Sequence, residues 1–303
     1  MPTVLLTHPD CARHQPPPGH PERPDRLAAA LSLVGHLDRE ACPEAGDDDL
    51  AAVHSRAYLA RLTQAEPQEG ARPLDADTWL SPGSLRAARL AAGGALRAVD
   101  LAAEGRRAFV ATRPPGHHAL AAAPMGFCLF GHVALAARRA LDAHGMGRVA
   151  IVDFDVHHGN GTQALVEDDA RVLFCSTHQA PFWPGTGEAD DRGPHGTVVN
   201  VPLRAGTTGA AFRATFARTV LPRVSAHAPD LLLISAGFDA DARDPLGGLA
   251  LGPADLAWAT TALCEATEPF GGRVASVLEG GYDLDALAEG VAAHVAALDG
   301  GGA

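Results

Sequence analysis

The chain has 303 residues, 47% hydrophobic and 20% charged, with a net charge of −12; this suits one α/β domain spanning residues 1–303 rather than a disordered or fibrous chain. All 24 basic residues are Arg, which points to a GC-rich genome, and the acidic balance excludes a nucleic-acid partner, whose phosphates call for clustered cations. The opening MPTVLLTHPDC lacks a basic signal region, no stretch matches the ~20 apolar residues of a membrane span, and five scattered cysteines lack a CxxC pair. A cytoplasmic protein is expected, with no membrane partner, no disulfide framework and no thiolate zinc site.

Short apolar runs alternate with helical patterns. In chain order, strands are expected at 4–6, 108–111, 149–154, 172–175, 198–201, 231–235 and 274–278. Helices are expected at 83–104, 127–144, 209–226, 253–268 and 284–298. Several runs are apolar throughout, as strands buried on both faces are. The alternation predicts a mainly parallel sheet between helical layers, with its ligand crevice beyond the carboxyl ends of the strands. The segment 177–196 reads as a long loop near that crevice, and 300–303 as a frayed tail.

Polar residues cluster where those strands end. After 149–152 comes Asp153-Phe-Asp155-Val-His157-His158-Gly159-Asn160-Gly161, in which Asp153, Asp155 and His157 alternate and would share one strand face. After 231–235 comes Ala236-Gly237-Phe238-Asp239-Ala240-Asp241. Two carboxylates and an imidazole leave a fourth position open for water, the pattern of a catalytic rather than a structural zinc site. Any one of these acids alone would more often be a helix cap; their joint placement points to a metal or acid–base site. Arg113-Pro114-Pro115-Gly116-His117-His118 follows the strand at 108–111 and could supply a base. Glu279-Gly280-Gly281-Tyr282-Asp283 follows 274–278, its paired glycines free to present Tyr282 to the crevice.

The ordered series HPERPDRL, LSPGSLRAARLAAGG, RPPGHHA, GFCLFGHVALAAR, DFDVHHGNGTQ, FWPGTGE, SAGFDADARDPLGG and LEGGYD resembles the histone deacetylase and acetylpolyamine amidohydrolase family over roughly residues 8–290. It looks most like a class II-like bacterial member. The resemblance implies a single three-layer αβα domain around a parallel eight-stranded sheet. It implies Zn2+ held by Asp155, His157 and Asp239, with Fe2+ or Co2+ also acceptable to such ligands. His118 would be the general base, His117 an electrostatic helper held by Asp153, and Tyr282 a hydrogen-bond donor to the oxyanion. Gly126, Phe127, Trp183, Leu246 and Gly280 would line an apolar substrate tunnel. Structural K+ would be held by the side chains of Asp153 and Ser176 with carbonyls of Asp155, His157 and Thr177. Arg26 would line an internal channel releasing the acid product.

Two departures carry weight. Asn160 stands where class I relatives place an Asp behind the second histidine, leaving His118 a neutral partner. Leu246 stands where polyamine-preferring relatives can place a carboxylate, so an acyl-lysine peptide ranks above an acetylpolyamine or other small acylated amine as substrate. An arginase-like site with two metals would use Asp239-x-Asp241, but Gly159 occupies the position of a further ligand. A non-catalytic binder of acylated amines is disfavoured because His118, Tyr282 and every ligand are present. Oligomeric state is left open.

Overall fold

Every expected apolar run becomes a strand of one sheet, in a computed structural model that describes residues 3–300; the expected tail at 301–303 lies outside the described residues. The elements are β1 (Val4–Thr7), α1 (Asp25–Ser32), β2 (Arg39–Ala41), α2 (Asp47–Leu50), α3 (Arg56–Ala65), β3 (Arg72–Pro73), β4 (Trp79–Leu80), α4 (Ser84–Ala103) and β5 (Ala108–Val110). There follow α5 (His132–Asp142), β6 (Val149–Asp153), α6 (Asn160–Val166), β7 (Val172–Gln179), β8 (Val198–Leu203), α7 (Gly209–His227), β9 (Leu231–Ala236), α8 (Pro253–Thr267), β10 (Val274–Leu278) and α9 (Leu284–Leu298).

Eight strands form an all-parallel sheet in the order β2-β1-β5-β10-β9-β6-β7-β8, while β3 and β4 make a separate antiparallel pair. Alternate side chains of each strand serve opposite faces. Leu5, Phe109, Val152, Ile234 and Leu278 pack with Phe212, Phe216 and Val220 of α7, Leu263 of α8 and Val291 of α9. Leu6, Val110, Ile151, Leu233 and Val277 pack with Leu90 and Val99 of α4 and Val133 and Ala137 of α5. Both faces are therefore covered, which is why these runs carry no polar alternation.

Three expectations are corrected. β6 ends at Asp153, so Asp155 and His157 lie in the following loop and not on a strand face. There the Asp153 carboxylate accepts the Asp155 N–H at 3.0 Å and the Asp155 carboxylate accepts the His157 N–H at 2.9 Å, bonds that replace the sheet ladder. The helix expected from 127 begins at His132, because Gly126 (φ 56°) and Phe127 (φ 68°) form the tip of a tight turn closed by reciprocal hydrogen bonds between Met125 and Cys128. β7 continues through Gln179, shortening the loop expected over 177–196.

Candidate functional site

The polar clusters converge beyond the carboxyl ends of the adjacent strands β5, β10, β9 and β6. Asp155, His157 and Asp239 each offer a ligand atom, and these atoms lie within 4.8 Å of one another. His157 Nδ1 sits 3.2 Å from Asp155 Oδ1 and 3.3 Å from Asp239 Oδ2. The remaining oxygens are anchored: Asp155 Oδ2 accepts the Gly280 N–H at 2.8 Å, and Asp239 Oδ1 accepts the Val156 N–H at 2.9 Å. Gly280 lies so close that a Cβ there would overlap both carboxylates, so only glycine fits.

This cradle fits a divalent cation. Asp239 Oδ2 is buried and makes no well-aligned hydrogen bond, its charged neighbour being His157 Nδ1 at 3.3 Å, an arrangement that a cation in the cradle would improve on. Burial and then the neighbouring Asp155 push the Asp239 carboxyl up to about 7. Burial works against a charged His157, yet its close contacts with the Asp155 and Asp239 carboxylates outweigh this and carry the imidazole up to about 10. Two carboxylates sharing one imidazole proton are the set a dication would displace that proton from. Asp241 does not join them: its carboxylate takes Arg243 at 2.8 and 3.0 Å, which removes the second ligand of a two-metal reading.

The two histidines of the β5 loop lie with ring centroids 3.9 Å apart, tilted by 43°, and have different partners. His117 Nδ1 lies 3.0 Å from Asp153 Oδ2. Burial opposes its charge, but Asp155 and Asp153 prevail and hold His117 well above its ordinary pKa. His118 Nδ1 lies 2.7 Å from Asn160 Oδ1. Burial, then the positive charge of His117 and of His157, holds His118 well below the usual imidazole range. The two neighbouring rings are thus driven in opposite directions, His117 toward its charged form and His118 toward its neutral form.

Phe127 packs edge-on to Tyr282 at 5.9 Å, and Trp183 packs edge-on to His118 at 4.6 Å. Gly126 lies between His118 and Trp183, where a Cβ would overlap both rings. Tyr282 is half-buried, and its phenol is raised well above its ordinary pKa by burial, against the pull of Arg26, so it keeps its proton. Asp283 caps α9 by accepting the Ala286 N–H at 2.8 Å, which fixes the chain just after Tyr282. Leu246 is half-buried, its N–H 2.9 Å from Asp244 Oδ1. Ser176 pairs in register with Asp153 across β6 and β7, and the buried Thr177 follows it. Arg26 is wholly buried, its guanidinium on the carbonyls of Gly281 and Glu279, both at 2.6 Å, and over the Tyr282 ring at 4.8 Å.

Sequence reasoning missed four contributors. Phe182 stacks on His157 at 5.3 Å, and its only sequence signal is its place beside Trp183. Glu279, within a motif already singled out, accepts the N–H groups of Gly116 and His117 at 2.7 and 3.1 Å, and burial first of all pushes its carboxyl up to about 7. Asp244 accepts the Tyr282 N–H at 2.6 Å. Glu22 forms a two-pronged ion pair with Arg113, both contacts 2.7 Å, at the base of the histidine loop. Such backbone-directed and buried partners have no signature in residue spacing.

Known proteins resemble this chain in sequence and fold. Residues 20–298 match the family model described as the histone deacetylase domain. The chain is 44% identical over 290 residues to an uncharacterized protein of Synechocystis sp., covering 92% of this chain and 93% of that protein. It is 41% identical over 283 residues to a histone deacetylase-like amidohydrolase of Pseudomonas aeruginosa, covering 88% of this chain and 74% of the other. It is 39% identical over 324 residues to the human polyamine deacetylase HDAC10, covering 98% of this chain but 48% of that longer protein. Among solved structures, the HD domain of HDA15 superposes with a TM-score of 0.92 at 35% identity, covering 99% of this chain and 90% of the other.

Proposed function

The chain belongs to the histone deacetylase family, and from that premise we propose that it removes the acyl group from an N-ε-acyl-lysine side chain. Family membership and the buried Asp-His-Asp set make it a metal-dependent amidohydrolase. The observation that carries the reading is the juxtaposition of that cradle with His118, whose ring centroid lies 6.0 Å from that of His157, and with Tyr282, two residues beyond the Gly280 N–H that holds Asp155.

Asp155, His157 and Asp239 would hold one zinc ion, which when bound polarises an acyl carbonyl and lowers the pKa of its water to about 7. His118, neutral, takes the proton of the attacking water as its oxygen bonds to the acyl carbon. Asp153 holds His117 charged, and that charge faces the anion developing nearby. The Tyr282 hydroxyl donates a hydrogen bond to the same oxyanion. The C–N bond then breaks, His118 returns the proton to the leaving nitrogen, and a carboxylic acid and a free amine result. Phe127, Trp183 and Gly126 form apolar walls suited to an unbranched aliphatic stem. Asp153 and Ser176, beside each other on β6 and β7, would hold the structural potassium ion with the carbonyls of Asp155, His157 and Thr177. Arg26 would stand on the route by which the acid leaves.

Leu246 supports acyl-lysine over acetylpolyamine, because a polyamine brings a second cation and Leu246 offers it no charge. The nearby Asp244 is committed to backbone N–H groups. Metal-quantified protein assayed on acyl-lysine peptides and acetylated polyamines tests this, with Tyr282→Phe as control. Faster turnover of the peptides at one metal per chain is expected. Preference for the polyamines overturns the substrate, and unimpaired turnover by Tyr282→Phe overturns the roles.

A further inference from the structure

We infer that Met125 is a positioning residue that sets the proton on His118, acting through the amide of Asn160; this rests on the reading of His118 as the general base. Asn160 Nδ2 lies 3.3 Å from Met125 Sδ, while Asn160 Oδ1 lies 2.7 Å from His118 Nδ1. A thioether sulfur has lone pairs and no proton, so the amide must turn its N–H2 toward it. The amide oxygen is then obliged to face His118. An oxygen there accepts only, so His118 Nδ1 must carry the proton and Nε2 keeps the lone pair with which a base acts. Rotating the amide by half a turn would set oxygen against sulfur and N–H2 against Nδ1. It would then stabilise the tautomer with its proton on Nε2, which cannot accept one from water.

The sulfur is held where it can do this. Met125 and Cys128 exchange backbone hydrogen bonds at 3.2 and 2.9 Å, closing the turn whose tip is Gly126 and Phe127. Phe127 takes a positive φ of 68°, uncommon outside glycine, and its N–H is tied to Thr78 Oγ1 at 3.1 Å. The turn that presents two wall residues therefore also aims the Met125 side chain at Asn160, and the residue behind the base is read from both sides. An Asp at 160 would have no need of this device, since a carboxylate accepts with either oxygen. Met125 matters because Asn160 can be turned the wrong way.

Steady-state kinetics on an acyl-lysine peptide test this with Met125→Leu, Asn160→Asp and the double variant, all zinc-loaded. Met125→Leu preserves volume and should fold normally. It should lower kcat about fivefold with KM within about twofold, as for a base part of whose population holds the wrong tautomer. In the Asn160→Asp background the same change should have no further effect, because no amide remains to turn. Nitrogen-15 chemical shifts of His118 should report the Nδ1–H form in the parent and a mixture of tautomers in Met125→Leu. Equal losses in both backgrounds, an unaltered kcat in Met125→Leu, or an unchanged tautomer overturns the inference. Full activity in His118→Ala would instead overturn the reading beneath it.

Discussion

The Asp244 carboxylate accepts the backbone N–H groups of Tyr282 at 2.6 Å and Asp283 at 3.1 Å, while its other oxygen accepts that of Leu246 at 2.9 Å. One buried side chain thus joins the loop after β9 to the loop after β10 and sets the height of the Tyr282 phenol. Asp244→Asn keeps the shape but leaves one acceptor oxygen and turns an N–H2 toward a backbone N–H. We expect kcat to fall about tenfold with KM little changed, a cost in keeping with a misplaced donor. The loss should vanish in a Tyr282→Phe background, where no hydroxyl remains to misplace. Additive losses would show that Asp244 acts elsewhere.

As the proposed general base, His118 would work only when neutral, so activity should fall as pH drops through its pKa. Burial and the charge of His117 hold that pKa low, and the Asn160 amide, at 2.7 Å, raises it only as a neutral acceptor. Asn160→Asp adds a full negative charge at the same contact and favours the imidazolium. The acidic limb of kcat/KM should move upward by about one unit. A limb that stays in place would show that another group limits activity in acid.

Removal of the proposed base is a larger change. His118→Ala should cost about 10²–10⁴ in kcat, the usual range for a lost general base. Zinc content should hold at one per chain, since Asp155, His157 and Asp239 stay in place. Near-normal turnover would reassign the base, with His117 the next candidate by its 3.9 Å ring contact.

Strands such as Ile151 and Leu233 were legible because burial on both faces leaves an unbroken apolar run. β2, Arg39–Ala41, has no such run: it is an edge strand of three residues whose side chains are largely exposed. The candidate ligands Asp155 and His157 are legible by their spacing of two, although that spacing comes from carboxylate-bonded turns and not from strand pleat. Helix α5 was extended too far because Phe127 is apolar and in pattern, while its positive φ belongs to the turn. Asp244 and Glu279 sat in quoted motifs without a role, since their partners are backbone N–H groups of distant loops. Spacing reveals what side chains share locally; it carries nothing about which amides they meet.

Chelation should destabilise the fold as well as stop turnover. Asp239 Oδ2 is buried with only a poorly aligned contact to His157 Nδ1 at 3.3 Å, so an emptied cradle leaves two buried carboxylates to one imidazole in place of a dication. A metal present at 1,000 times its Kd adds about 4 kcal/mol, which for a chain of this size is roughly 5–10 °C in Tm. Scanning fluorimetry with a chelator should show that drop, and one equivalent of zinc should reverse it. Asp239→Asn should be nearly indifferent to both additions. An unchanged Tm in the parent would remove the metal from the folding balance.

Acid should weaken the protein through buried histidines that are not part of the metal cradle. His54 Nε2 accepts the Gly131 N–H at 2.9 Å while Nδ1 faces the Leu120 carbonyl at 3.1 Å, so the ring is held neutral with its proton on Nδ1. Burial pushes His54 down to about 4, and His132 and His294 down to about 3. An unfolded histidine titrates near about 6.5, so below that pH the unfolded state binds protons that the folded state refuses. Unfolding free energy must therefore fall as pH drops from about 6.5 toward 4, by about 2 kcal/mol per such histidine at pH 5. Urea midpoints measured from pH 7.5 to 5.0 should decline on this course. His54→Gln replaces the ring with a non-titrating amide that can still accept and donate; it should flatten the decline even where it lowers stability at neutral pH. An equally steep decline in His54→Gln would place the acid sensitivity in other groups.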